Sequence, residues 1–352
     1  MQGDQGSKNA YVPQAAELSA AIQRFANTDG DFTTALPALT MHRRHGVSEP
    51  MPCIYNLGIG LITQGYKHIM VGDKLHNYGP GQLMLSTFDM PVTAHVTRAS
   101  RSEPLLGMML KLDIRQVAQV AYEMELPSSP ETAYEPISVH KLEPALLDAF
   151  LRLVRLLDEP QLVSQLAPLI QQEIVVRLLA GPQGTQLRHI IADGTPRQRM
   201  AQTLSWLRKN FKQALNLDDL AAHAHMTPST FRQHFRDITG MSPLQFQKQM
   251  RLQEARQLML NQAFDAGEAS NLVGYESASQ FSREYKRLFG APPLHVIFVE
   301  CVLRRVGLSK GFLIPTYWWR YTRETKTLMW VAENINFETT FDTWRLPTRD
   351  HV

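Results

Sequence analysis

The chain writes one short helical segment twice. Residues 273 to 290 read VGYESASQFSREYKRLFG, and a weaker copy upstream, AHMTPSTFRQHFRDITG, ends at Gly240. Aligned at an offset of 50, Phe231 matches Phe281, Phe235 matches Tyr285, Arg236 matches Lys286 and Gly240 matches Gly290. The four-residue aromatic spacing predicts two helices, each with one face aimed inward. Thr227 and Ser277 suit their N-caps, Pro228 suits a first turn, and each closing glycine accepts the left-handed conformation that ends a helix.

Each copy is preceded by a shorter helical stretch, LDDLAAHA (217–224) and DAGEASNLV (265–273), with a turn between. Helix, short turn, helix is the arrangement that lays a second helix in the DNA major groove. Between the copies, SPLQFQKQMRLQEARQLMLN (242–261) opens on Ser242 and Pro243 and runs unbroken to Asn261, so one long helix is expected. Such a rod would hold two readers about one turn of DNA apart, roughly 34 Å, on one face of the duplex. The residues that change between the copies stand at the exposed early positions: Ser229, Thr230, Arg232 and Gln233 in the first, Ser279, Gln280, Ser282 and Arg283 in the second. Arginine grips guanine and glutamine adenine through paired hydrogen bonds, while serine adapts. Thr230, Arg236, Lys248, Arg251, Lys286 and Arg287 are assigned instead to phosphates, which position a protein without specifying a sequence.

Charge distribution agrees. Lys and Arg against Asp and Glu number 15 against 19 over residues 1–194, 13 against 8 over 195–295, and 8 against 6 beyond. The basic excess therefore falls on the duplicated region, as an electrostatic footprint on nucleic acid requires. With 44% apolar and 20% charged residues, composition is that of a globular chain, and 352 residues exceed what one core usually holds. The opening run MQGDQGSKNA has no apolar h-region, and no stretch is apolar enough to span a bilayer, so a cytoplasmic, nucleoid-associated protein without a membrane partner is expected. Two cysteines, Cys53 and Cys301, supply neither a disulfide framework nor a four-cysteine zinc site, and Cys53 reads as a buried inert thiol.

Ahead of the repeat the pattern differs. Residues 1–13 read as disordered, and AAELSAAIQRFAN (15–27) as a helix. From there to about 112, short β-rich runs alternate with Gly, Asn, Asp and Pro at the spacing of an antiparallel sandwich or barrel. Two amphipathic helices follow, one carrying Leu146, Leu147, Phe150, Val154 and Leu157, the other Leu166, Leu169, Ile170, Ile174 and Leu178. Their faces either cover the barrel or form a two-helix dimer seam. The expected organisation is a front domain over 14–182, a linker over 183–196, the DNA-binding domain over 197–294, and an atypical tail over 295–352 holding four of the five tryptophans. For the tail three readings stay open: a loose appendage, an element packed on the DNA-binding domain, or an out-of-frame extension.

Residues 197–294 resemble the double helix-turn-helix domain of the AraC/XylS family of transcriptional regulators, and VGYESASQFSREYKRLFGAPP is similar to that family's signature. The resemblance implies that Ser229, Arg232, Gln233, Ser279, Gln280, Ser282 and Arg283 face bases. One departure concerns Ala269 and Ser270, where the family carries a bulky aliphatic and an alanine. YNLGIGLITQGYKHIMVGDKLHNYGPGQLMLSTFDMPVTAHV resembles the cupin-like N-terminal domain of an AraC-type subgroup. The implied fold is α+β: a cupin-like β-barrel with a helical hairpin, then an all-α double helix-turn-helix domain. Tyr55, Gln64, Lys67, Met84 and His95 are candidate linings of an effector pocket. His68, His76 and His95 are scattered without the paired spacing of a cupin metal site, and His223 and His225 straddle a helix end, so no metal, cofactor or catalytic set is expected. The GIGLITQG run lacks the lysine and hydroxyl ending of a phosphate loop. The expected partners are double-stranded DNA, a small-molecule effector, a second copy joined through the front domain and, for an activator, RNA polymerase. The alternative is a cupin-type enzyme with an accessory DNA-binding module.

Overall fold

The computed structural model describes residues 5–126, 135–191, 194–262 and 264–293, and strands at 319–322, 327–332 and 335–340. Helix α1 (Gln5–Phe25) begins inside the stretch expected to be disordered. Leu18, Ala21 and Ile22 anchor its second half in the core, and an anchored helix propagates outward at one backbone bond per residue fixed.

Ten strands follow: β1 (Gly30–Thr33), β2 (Leu39–Arg44), β3 (Met51–Tyr55), β4 (Gly58–Gln64), β5 (Tyr66–Val71), β6 (Lys74–Tyr78), β7 (Gln82–Ser86), β8 (Met90–Arg98), β9 (Leu105–Lys111) and, later, β10 (Ile137–Lys141). They pair antiparallel in two sheets, one ordered β1-β2-β9-β4-β7-β10 and the other β3-β8-β5-β6. Alternation assigns the faces: along β5, Ile69 and Val71 are buried while Tyr66 and Met70 are exposed. Strand β10, unforeseen from the sequence, adds to the edge of β7. Gly81, at φ 80°, makes the turn that leads into β7, as the YGPGQLML run suggested.

Helix α2 (Ile114–Glu123) is capped by Asp113, whose carboxylate accepts from Arg115 N. The helical hairpin is α3 (Pro144–Arg155) and α4 (Pro160–Ala180). All five residues expected on the first inner face are buried, whereas the second face divides. Ile174 and Leu178 point inward, but Leu166 and Leu169 are exposed, with Leu162 and Val176 beside them. The stretch read as a linker contains α5 (Gly184–Ile191), which buries Leu187 and Ile190; three apolar residues in so short a run did not announce it.

Six helices complete the DNA-binding region: α6 (Pro196–Asn210), α7 (Leu217–His223), α8 (Pro228–Thr239), α9 (Pro243–Asn261), α10 (Ala266–Leu272) and α11 (Ala278–Phe289). Strands β11 (Trp319–Thr322), β12 (Thr327–Ala332) and β13 (Ile335–Thr340) form a separate antiparallel sheet in the tail. Cys301 lies outside the described residues.

The barrel meets the helical region directly. Arg208 of α6 bonds to Asp89 at 2.5 Å and to Asn56, and Arg256 of α9 reaches the Met51 sulfur at 3.5 Å. The turn between β5 and β6 lies against the end of α8: a Cβ added to Gly240 would stand 2.5 Å from Gly72 Cα.

Candidate nucleic-acid interface

Helices α8 and α11 are built alike. Thr227 and Ser277 cap them by accepting from Thr230 N and Gln280 N, and Gly240 and Gly290 end them at φ 71° and 83°. Phe231 and Phe235 are buried with ring centroids 5.6 Å apart, and Phe235 meets Phe246 of α9 edge-on at 5.4 Å. In the second copy Tyr275, Phe281, Tyr285 and Phe289 stack in the same way, at 5.3, 5.5 and 4.4 Å. The aromatic faces thus pin both helices, leaving the intervening residues outside.

Helix α9 joins the two. Ser242 and Gln245 form a capping box at its start, and its 19 residues span about 28 Å at the usual rise. Arg251, near its middle, donates to four carbonyls: Phe211 O (2.8 Å), Lys212 O (3.0 Å), Gln213 O (2.8 Å) and Gly274 O (2.8 Å). One guanidinium therefore ties the end of α6 and the turn of the second helix-turn-helix to the rod. Gly274 lies at φ 87°, and a Cβ there would come within 2.2 Å of Lys212 O, so this turn requires glycine. One turn earlier on α9, Lys248 bonds Glu284 of α11 at 2.6 Å. Ala269 and Ser270, where the sequence departs from the family pattern, are both buried, and Ser270 Oγ donates to Gly267 O at 2.9 Å. The hydroxyl is satisfied locally, and Asp265 with Glu268 adds a capping box to α10.

Ser229, Arg232 and Gln233 are exposed on α8, and Ser279, Ser282 and Arg283 on α11; Gln280 is half-buried. Gln233 donates to Asp237 at 2.8 Å and Gln280 to Glu284 at 3.2 Å. Thr230, Arg236, Lys286 and Arg287 are exposed, whereas Lys248 and Arg251, assigned to phosphates on sequence, are half-buried and engaged within the protein. Sequence reasoning missed Glu284 and Tyr275, although an acid on so basic a helix, with two cations three residues apart on the rod, was a signal for them.

A cavity of about 990 Å³ opens in the front domain and is bordered by α9 and the end of α11. Tyr55 and Lys67 line it; Gln64, Met84 and His95 do not. Gln64 donates to Pro104 O at 2.8 Å, Met84 is fully buried, and His95 pairs edge-on with His68 at 5.9 Å. His42, Arg44, Asp31 and Cys53 also line the cavity. Asp31 accepts from Arg44 at 2.6 Å and bonds His42 at 2.7 Å. Burial would raise the Asp31 carboxyl, but Arg44 and His42 hold it well below its ordinary range. Burial pushes the Cys53 thiol up to about 11, so it stays protonated and unreactive. Lys67 is lowered by burial and by Arg44 nearby, and its ammonium reaches Tyr55 Oη at 3.4 Å. Among the described residues, no group of three or more His, Cys, Asp or Glu could hold a metal ion, and no helix is long and apolar enough to cross a membrane.

Comparison with known proteins gives two family matches. A model of the AraC-type transcriptional regulator N-terminus matches residues 35–186, and a helix-turn-helix domain model matches 220–297. The virulence regulon transcriptional activator VirF of Yersinia enterocolitica is 26% identical over 54% of this chain and 69% of its own length. The HTH-type transcriptional regulator ExsA of Pseudomonas aeruginosa is 23% identical over 67% of this chain and 84% of its own. Among solved structures, ToxT of Vibrio cholerae in its unsaturated fatty acid-bound form superposes with a TM-score of 0.52 at 10% identity, covering 77% of this chain and 96% of ToxT.

Proposed function

The chain belongs to the AraC/XylS family of transcriptional regulators, and on that footing we propose that each protomer reads two adjacent major-groove segments under the control of a small-molecule effector. The observation that carries the reading is the pair of capped helices, α8 and α11, pinned by buried aromatics to one rod with their polar residues exposed. Ser229, Arg232, Gln233, Ser279, Gln280, Ser282 and Arg283 are assigned to bases, and Thr230, Arg236, Lys286 and Arg287 to phosphates. Arg251 is assigned to the fold and Lys248 to Glu284. The front domain, 14–182, senses and dimerises, and 197–294 reads.

Binding-site selection on random duplexes at two salt concentrations tests this. Arg232→Ala is expected to cost about 1–3 kcal/mol on the selected site and to relax choice at one base pair. Lys286→Ala should weaken all sequences alike and flatten the salt dependence. Equal loss on random and selected DNA for Arg232→Ala would remove that residue from base reading.

The effector reading is supported by the cavity, which is lined by residues of the barrel and of the DNA-binding domain together. Lys67 brings an ammonium to the cavity, where it donates to Tyr55 Oη at 3.4 Å, which suits a small molecule with an acidic head and an apolar body. ToxT, crystallised with an unsaturated fatty acid, is a neighbour in fold. A thermal-shift screen of carboxylic acids, read against the matching alcohols, tests that chemistry. A regulatory rather than an enzymatic role is supported by the matched models, which describe a transcriptional-regulator N-terminus and a helix-turn-helix domain.

For dimerisation, Leu162, Leu166, Leu169 and Val176 recur at the four- and three-residue steps of a helix–helix seam, and Leu169 is 61% exposed. Glu173, in the same row, is held by Arg152 at 2.6 Å and Arg177 at 2.8 Å of its own chain, so two copies could meet along α4 without an unpaired charge. Leu169→Asp is expected to give a monomer in sedimentation at micromolar concentration. An unchanged dimer would move the interface elsewhere.

A further inference from the structure

Glu284 is the single acidic residue of α11, yet it is buried. Its Oε1 accepts from Lys248 Nζ at 2.6 Å and from Gln280 Nε2 at 3.2 Å, and its Oε2 from Tyr275 Oη at 2.7 Å. Gln280 lies one turn earlier on the same face, among the positions assigned to bases. Burial by itself raises a carboxyl, but here the bonds from Lys248, Tyr275 and Gln280 outweigh it and hold Glu284 below its ordinary range. An ionised carboxylate has no proton to give, so an amide beside it must turn its nitrogen inward. The amide oxygen is then left facing out.

We propose that Glu284 fixes the polarity of Gln280, so that this side chain presents an acceptor to the groove and reads exocyclic amines, adenine N6 or cytosine N4, against the keto oxygens of guanine and thymine. This rests on α11 entering the major groove. A free glutamine turns its amide either way and addresses both classes of base; the clamped one addresses one class. The first reader supplies an internal contrast. Gln233 also donates to an acid one turn on, Asp237 at 2.8 Å, but Asp237 is exposed, and an exposed contact of this kind is screened and weak. Gln233 therefore keeps both orientations.

The test is binding-site selection with the full chain as wild type, Gln280→Ala, Glu284→Gln and Arg283→Ala, with melting temperatures recorded alongside. Wild type should favour adenine or cytosine over guanine or thymine by about tenfold at one position of one strand. Gln280→Ala should erase that preference alone. Glu284→Gln releases the amide and should admit keto bases at the same position, leaving the position lost in Arg283→Ala untouched; a merely structural role for Glu284 would lower all positions together. A keto base at the position that Gln280→Ala erases overturns the proposal, as does a Gln280→Ala selection identical to wild type, or a folded Glu284→Gln with its preference unchanged. If Glu284→Gln does not fold, the comparison of wild type with Gln280→Ala still decides. Loss of a position in Arg283→Ala but none in Gln280→Ala rejects the glutamine and keeps the groove reading; no enriched sequence for any chain rejects both.

Discussion

Arg251→Ala is expected to lower the stability of the DNA-binding region by about 3–4 kcal/mol, from bonds of a charged donor worth about 1.5–3 kcal/mol each that do not add fully. The substitution takes a charged donor from the Lys212 and Gly274 carbonyls and leaves those of Phe211 and Gln213 with Gln247 Nε2 alone, at 2.9 and 2.6 Å. It also removes a cation lying 5.8 Å from the Tyr275 ring centroid. No single replacement recovers this. Lysine carries one point of charge and lacks the planar fork, so Arg251→Lys should regain less than half of the loss. Urea unfolding of the full chain followed by helical circular dichroism measures it, with DNA affinity falling in parallel for every sequence. A midpoint within experimental error of wild type would mean that these carbonyls lose the guanidinium at no cost, and the staple would have to be abandoned.

Phe235→Ala is expected to cost about 3–5 kcal/mol, the range for deleting a fully buried aromatic. Phe235 lies between Phe231 of its own helix and Phe246 of the rod, so the cavity would open where the first reader meets α9. Against a typical domain stability of about 5–15 kcal/mol, that is enough to unfold a marginal one. Phe235→Leu should recover roughly half, since it restores most of the apolar volume. Hydrogen exchange distinguishes this from Arg251→Ala: protection should fall first in α7 and α8 for Phe235→Ala, and first in α10 and α11 for Arg251→Ala. The same order in both variants would show that the two helix-turn-helix units unfold together.

The parts of the molecule written by local rules were legible. Aromatics four residues apart, a capping hydroxyl and a closing glycine fix a helix from within itself; α8 and α11 begin and end where those signals stand, and α9 begins at its Ser242 cap. Pocket residues were not legible in the same way. Alternation along β5 turns Lys67 inward and His68 outward, but which inward residue reaches open space depends on strands far away in sequence. Met84 points inward and is packed over Gly60, while His95 faces out toward His68 because the two stand opposite each other across the β5–β8 pair. Arg251 was read as a phosphate contact for a similar reason. A cation on a basic rod looks exposed until the carbonyls of Phe211, Lys212 and Gln213, some forty residues earlier, fold back onto it.

Where the β5–β6 turn touches the end of the first reader, the two partners are Gly72 and Gly240, and neither has a side chain to bend or rotate. A displacement arriving at that joint has no rotamer in which to be absorbed and passes from main chain to main chain. Scanning by truncation would find nothing there to remove; the joint answers to added bulk, and one extra methyl group at either glycine would act as a wedge between sensing and reading.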